Sequence, residues 1–129
     1  MIRLKQSFDK TKSIYLQIID EIKKAVVRGE LGPGSQIPSQ REFATLSHVN
    51  PNTVQRAYRE MESMGLLETA RGQGTFICNK PGLTESIREE MAGELLTTFI
   101  DEMLSIGIEK DKMLHMLQER FGKPDDGGI

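Results

Sequence analysis

The chain has 129 residues, 37% apolar and 28% charged, and its 17 Lys and Arg against 19 Asp and Glu leave a net charge of -2. That length suits one domain plus an appendage, the composition is that of a soluble globular protein, and no apolar run is long enough to span a bilayer. The N-terminal Met1-Ile2-Arg3-Leu4-Lys5 lacks a signal-peptide core and the single cysteine, Cys78, excludes an internal disulfide, so a cytoplasmic protein is expected.

The overall charge conceals an asymmetry. Residues 1–80 carry 12 Lys and Arg against 8 Asp and Glu, or +4, whereas residues 81–129 carry 5 against 11, or -6. Contact with a polyanion is therefore expected in the front part, and phosphate would repel the back part.

Residues 1–12 are polar and weakly patterned, with Lys5, Lys10 and Lys12, and suggest a short arm. Ser13 or Thr11 then caps a helix in which Tyr15, Ile18, Ile19, Ile22, Ala25 and Val26 keep a 3.6-residue rhythm, ending near Gly29. Gly32-Pro33-Gly34 turns the chain into a short strand at Gln36-Ile37. It is not a phosphate loop, because no Gly-Lys-Ser or Gly-Lys-Thr follows.

The stretch Pro38 to Tyr58 is the most informative. Ser39-x-x-Glu42 has the spacing of a capping box and opens a helix whose apolar surface is Phe43, Ala44 and Leu46. Ser47-His48 interrupts that surface, and Asn50-Pro51 starts a second helix: Asn is a strong N-cap, and Pro at the first helical position loses no hydrogen bond. This helix runs to Met64 before Gly65 stops it. Within it, Val54, Ala57, Tyr58 and Met61 form a buried stripe, with Asn52, Gln55, Arg56 and Arg59 on the outer face. Amides pair with adenine and guanidinium groups with guanine in the major groove, so this outer face suits the second helix of a helix-turn-helix. A merely solvated face is the bland alternative.

After this helix, Leu66–Ala70 and Thr75–Cys78 read as two short strands joined by Arg71-Gly72-Gln73-Gly74, a hairpin whose Arg71 suits a minor groove. Cys78 reads as a small buried strand residue. Together, Leu31-x-Pro33-Gly34-x-x-Ile37-Pro38-Ser39-x-Arg41-Glu42-x-Ala44, Val49-Asn50-Pro51-Asn52-Thr53-Val54-x-x-Ala57-Tyr58, Met61-Glu62-x-x-Gly65-Leu66 and Gly72-x-Gly74-Thr75-Phe76 resemble the winged-helix domain of GntR-type bacterial transcription regulators. The short helical tail and the Asn-Pro-x-Thr-Val-x-x-Ala-Tyr segment are similar to the YtrA subfamily in particular.

The resemblance implies a DNA-contacting Arg41 and a wing tip at Arg71-Gly72-Gln73. Pro51 stands where longer-tailed relatives often have an arginine, which shifts expected base reading to Asn50, Asn52, Thr53, Gln55 and Arg56. Ser39, Tyr58 and Arg59 suit phosphate.

Past a hinge at Lys80-Pro81-Gly82, an amphipathic helix is expected from Thr84 or Ser86 to Ile106, stopped by Gly107. A second runs from Glu109 to Phe121, and residues 123–129 are expected to be disordered. Two helices cannot bury so wide an apolar face, so a second copy is expected over Ile87, Met91, Leu95, Phe99, Met103, Leu114 and Leu117. The methionines of the tail offer an alternative, an adaptable surface for a small-molecule effector, although no polar cluster marks one.

His48 and His115 lack metal-ligand spacing and no nucleophile is activated, so neither an enzyme nor a cofactor is expected. The aromatic platforms that stack single-stranded RNA are missing as well. The expected fold is mainly α with a small β-wing: a winged helix-turn-helix over residues 1–80 and a two-helix dimerisation tail over 81–129. The expected function is double-stranded DNA binding by a dimeric repressor, the alternative being a winged-helix protein-interaction module.

Overall fold

A computed structural model describes residues 8–122. Lys5 and the rest of the expected arm up to residue 7, and the expected disorder of residues 123–129, lie outside the described residues. In chain order the elements are α1 (Ile14–Val27), β1 (Gln36–Ile37), α2 (Gln40–Ser47), α3 (Pro51–Ser63), β2 (Leu67–Ala70), β3 (Gly74–Ile77), α4 (Leu83–Ser105) and α5 (Lys110–Phe121). The protein is thus mainly helical with a small three-stranded antiparallel sheet in the order β1-β3-β2. The elements form two compact units that part between Glu89 and Glu90, inside α4.

In the first unit, α3 is the centre of packing, in contact with α1, α2 and β2. Val54, Ala57, Tyr58 and Met61 are fully buried, as their spacing predicts, against a core that includes Ile18, Ile22, Phe43, Leu66 and Ile77. Each large side chain removed from water in this way contributes about 1.5–3 kcal/mol before conformational entropy is counted. Leu46 departs from expectation: it is 57% exposed, while Ser47 beside it is buried. The Ser47 hydroxyl donates to the Phe43 carbonyl one turn back at 2.6 Å, which satisfies the hydroxyl inside the core.

At the start of α1, Ser13 occupies the cap position, yet its side chain makes no cap bond. Gln17 closes this end instead: its Oε1 accepts from the Asp9 amide at 3.0 Å and its Nε2 donates to the Asp9 carbonyl at 2.7 Å. At the other end, the Arg88 guanidinium donates to the Val27 carbonyl at 2.7 Å, filling one of the orphan acceptors of a helix C-terminus. Arg88 and the buried Ile87 therefore bind the first turns of α4 into the first unit. The Lys80-Pro81-Gly82 segment immediately precedes α4.

The sheet is bound together by pairing that spacing alone does not reveal. β1 lies against β3 with Gln36 opposite Phe76 and Ile37 opposite Thr75, while β2 pairs β3 from Leu67–Ile77 to Ala70–Gly74. The hairpin between β2 and β3 is tight, with the Gln73 amide donating to the Ala70 carbonyl at 2.8 Å. Gln36 braces it from β1, its Nε2 donating to the Gln73 carbonyl at 3.2 Å. Gly74 has a φ of +129°, and a Cβ there would lie 2.3 Å from that same Nε2. Gly74→Ala is therefore expected to strain the backbone and displace the Gln36 brace, lowering stability by about 1–3 kcal/mol in chemical denaturation.

α4 begins at Leu83, upstream of both expected caps, because the Lys80-Pro81-Gly82 turn already returns the Leu83 amide to the Lys80 carbonyl at 3.2 Å. Gly107 ends the helix with φ +85°, as expected. Among the described residues of the second unit only Met113 is buried, and Met91, Phe99, Met103, Met116 and Leu117 are half-buried. Leu95, Leu96, Ile100, Leu104, Leu114 and Phe121 remain exposed. No helix among the described residues is long and apolar enough to cross a membrane.

Candidate nucleic-acid interface

The α2–α3 segment folds as its local chemistry dictates. Ser39 Oγ accepts from the Glu42 amide at 3.1 Å, and Glu42 Oε1 accepts from the Ser39 amide at 2.9 Å, a complete capping box. His48 ends α2 in the left-handed conformation, φ +56°, and Val49 and Asn50 carry the chain to α3. Asn50 Oδ1 accepts from the Asn52 amide at 2.7 Å, so α3 starts at Pro51 with one of its free amides satisfied.

This geometry turns Asn52, Gln55, Arg56 and Arg59 outward, where all four are exposed, and leaves Thr53 half-buried. Arg41, near the start of α2, is exposed too. Arg41, Asn52 and Gln55 converge on one open depression between α2 and α3, with Gln40 and Thr45. Asn50 and Thr53 line a second depression beside Lys10, Ile14 and His48. Two amide side chains and a guanidinium on one concave face have the donors and acceptors to pair with base edges. Gln40 and Thr45 were not singled out by sequence, because nothing in local spacing shows that α2 leans over the start of α3.

Tyr58 must be removed from the phosphate-contacting set. Its side chain has no exposed surface, its ring meets Phe43 edge-on at 6.1 Å, and its hydroxyl donates to the Pro38 carbonyl at 2.6 Å. Burial, with a lesser effect of Glu42, pushes its ionisation well above the ordinary tyrosine range and keeps the hydroxyl a neutral donor. The residue belongs to the apolar stripe of α3, and a hydroxyl facing the core cannot reach a phosphate. Ser39 is half-buried; its oxygen accepts in the α2 cap, and the hydroxyl proton can still be donated to a phosphate.

Arg56 has a partner that spacing could not reveal. Its guanidinium lies 3.8 Å above the centre of the Tyr15 ring, and Nη2 donates to the Tyr15 hydroxyl at 3.1 Å. Tyr15 is half-buried on α1, outside the fully buried core its helical rhythm suggested.

Arg71, Gly72 and Gln73 are exposed at the hairpin tip, with Gly72 at φ +77°. Cys78, just beyond β3, is a buried free thiol, and burial raises its ionisation further from neutrality, with Glu68 acting in the same direction. Among the described residues, no group of three or more His, Cys, Asp or Glu is arranged to hold a metal ion. Of the residues expected to meet a second copy, Ile87 is buried in the first unit and so is not available on the tail surface.

Residues 14–77 match the family model described as bacterial regulatory proteins, gntR family. The chain is 47% identical over 107 residues to the HTH-type transcriptional regulator YhcF of Bacillus subtilis, covering 83% of this chain and 88% of that protein. It is 40% identical over 120 residues to the HTH-type transcriptional repressor YtrA of the same organism, covering 88% and 92%. Among solved structures it is similar to a GntR family transcriptional regulator from Listeria monocytogenes, with a TM-score of 0.79 and 37% identity over 87% of this chain and 98% of that one.

Proposed function

The chain belongs to the gntR family of bacterial regulatory proteins and is a winged helix-turn-helix transcriptional regulator, and from this premise we propose that it acts in the cytoplasm as a homodimeric repressor occupying an inverted-repeat operator. One observation carries the reading: Asn52, Gln55, Arg56 and Arg59 are exposed along α3 directly behind a fully buried stripe. A helix anchored on one face and carrying amides and guanidinium groups on the other is a rigid instrument for a major groove.

In this reading Asn52, Gln55 and Arg56, helped by Asn50, Thr53 and Arg41, meet base edges, while Ser39 and Arg59 contact phosphates. Arg71, Gly72 and Gln73 form the wing tip that follows the backbone into the adjacent groove. The apolar surface left open on α4 and α5 supports a second copy as its cover, since two-fold assembly is the commonest way such a face is buried. Two heads joined in this way address half-sites roughly 34–36 Å apart, or a multiple of that spacing. The repressor assignment draws on the name of the relative YtrA. Repression then follows from blocking a promoter.

Selection of bound sequences from a random duplex pool tests the proposal, and the expected product is a palindrome. Arg41→Ala should weaken binding to that product by about 1–3 kcal/mol if the side chain pairs with guanine. Affinity should also fall with salt at a slope of about -0.9 for each phosphate neutralised. Recovery of no sequence preference, with binding insensitive to salt, would return the winged helix to a protein-docking role.

A further inference from the structure

We propose that Tyr15 is a positioning residue that presets Arg56 for base reading, so that one element of operator specificity resides on α1 rather than on the helix-turn-helix. The inference rests on the DNA-binding reading above. It starts from the energetics of an exposed arginine, which has four rotatable side-chain bonds and must lose much of that freedom to pair with a base in one geometry. Asn52 and Gln55 are shorter and lose less. Among the described residues, Arg56 alone on this face has a side-chain partner that fixes it in advance.

The partner is chosen for the purpose by its chemistry. The guanidinium carbon lies 3.8 Å from the ring centre, so the cation rests on the electron-rich face of the tyrosine. The hydrogen bond from Nη2 to the Tyr15 hydroxyl, at 3.1 Å, adds a second tether to the same side chain. Together these use one of five N–H donors and leave four for other partners. A bidentate contact to guanine O6 and N7 needs only two of those donors. A carboxylate partner would have neutralised the charge and taken up the same donors. Tyr15 does neither, and it is itself held because it lies on α1, which packs directly on α3.

The consequence is specific. Removing the ring should loosen Arg56 without uncovering the core, because Tyr15 is half-buried and lies outside the fully buried set. With the operator from the duplex pool, Arg56→Ala identifies the base pair whose preference depends on Arg56. Tyr15→Leu is expected to lower operator affinity about three- to thirtyfold, the range of a cation–π contact, and to flatten preference at that same base pair. Tyr15→Phe keeps the stack and should retain the preference with a smaller loss of affinity. The double variant Tyr15→Leu/Arg56→Ala should bind no worse than Arg56→Ala alone, since the ring acts only through the arginine.

The thermal unfolding midpoint of each variant is measured alongside, to exclude loss of folded protein. Two results would overturn the inference: a Tyr15→Leu defect equal for all duplexes and additive with Arg56→Ala, or an Arg56→Ala variant with unchanged base preference. Either would leave the operator selected by the wild-type protein intact. Failure of the wild-type protein to select any operator would instead remove the DNA-binding reading on which the inference stands.

Discussion

Replacing Leu96 and Leu104 together by Glu is expected to convert the proposed dimer to a monomer and to lower its affinity for an inverted-repeat operator by about 10²- to 10⁴-fold. The two residues lie eight apart on α4, on one face of the helix, and are 59% and 51% exposed. Being exposed, they can be exchanged for polar residues without opening a cavity in the protomer. In the proposed two-fold assembly the same positions would be covered, and each copy would place two carboxylates against an apolar surface, where desolvation is costly. A monomer then engages one half-site at a time and forfeits the effective concentration that joins the heads. Sedimentation equilibrium and titration of a two-half-site duplex read the two effects separately. A variant that remains dimeric with unchanged affinity would show that the tails meet elsewhere, and a wild-type monomer would show that they do not meet at all.

The second large effect is expected at Tyr58. Truncation to Ala should destabilise the first unit by about 3–5 kcal/mol, because it removes a fully buried ring at the centre of the molecule's packing. The ring fills the space between α2 and α3, edge-on to Phe43, and its hydroxyl fastens α3 to the Pro38 carbonyl immediately before α2. Tyr58→Phe keeps the ring and loses one hydrogen bond, so about 0.5–1.5 kcal/mol is expected. Urea unfolding of both variants separates packing from hydrogen bonding. Equal losses in the two would mean that the hydroxyl, and not the ring, holds the helix pair at its angle. Since that angle also determines how Arg41 faces Asn52 and Gln55, Tyr58→Ala should impair DNA binding well beyond any direct contact.

Tyr58 also shows how far linear pattern can be followed. Its spacing with Val54, Ala57 and Met61 placed it in the core, while its hydroxyl suggested phosphate. Burial decided between the two, because a side chain with no exposed surface meets no ligand. Leu46 and Ser47 reversed for a related reason: an eight-residue helix is too short for periodicity to identify its inner face, and the Ser47 hydroxyl can satisfy itself against Phe43. Ile87 looked like part of the tail's apolar line, yet the first turns of α4 belong to the first unit. That attachment depends on Arg88 meeting the end of α1, 61 residues earlier in the chain.

What the sequence determined by itself is what acts over a few residues. The capping box at Ser39 and Glu42, the Asn50-Pro51 start, the glycine stops at Gly65 and Gly107, and the opposed faces of α3 all follow from hydrogen bonds and steric limits within one or two turns. Tertiary structure decided what depends on partners distant along the chain: the pairing of β1 with β3, the Gln36 brace on the wing, the convergence of Arg41 with Asn52 and Gln55, and the Tyr15 platform beneath Arg56. The physical reason is that helix periodicity states which residues turn away from water, whereas the packing of whole elements decides which side chains meet.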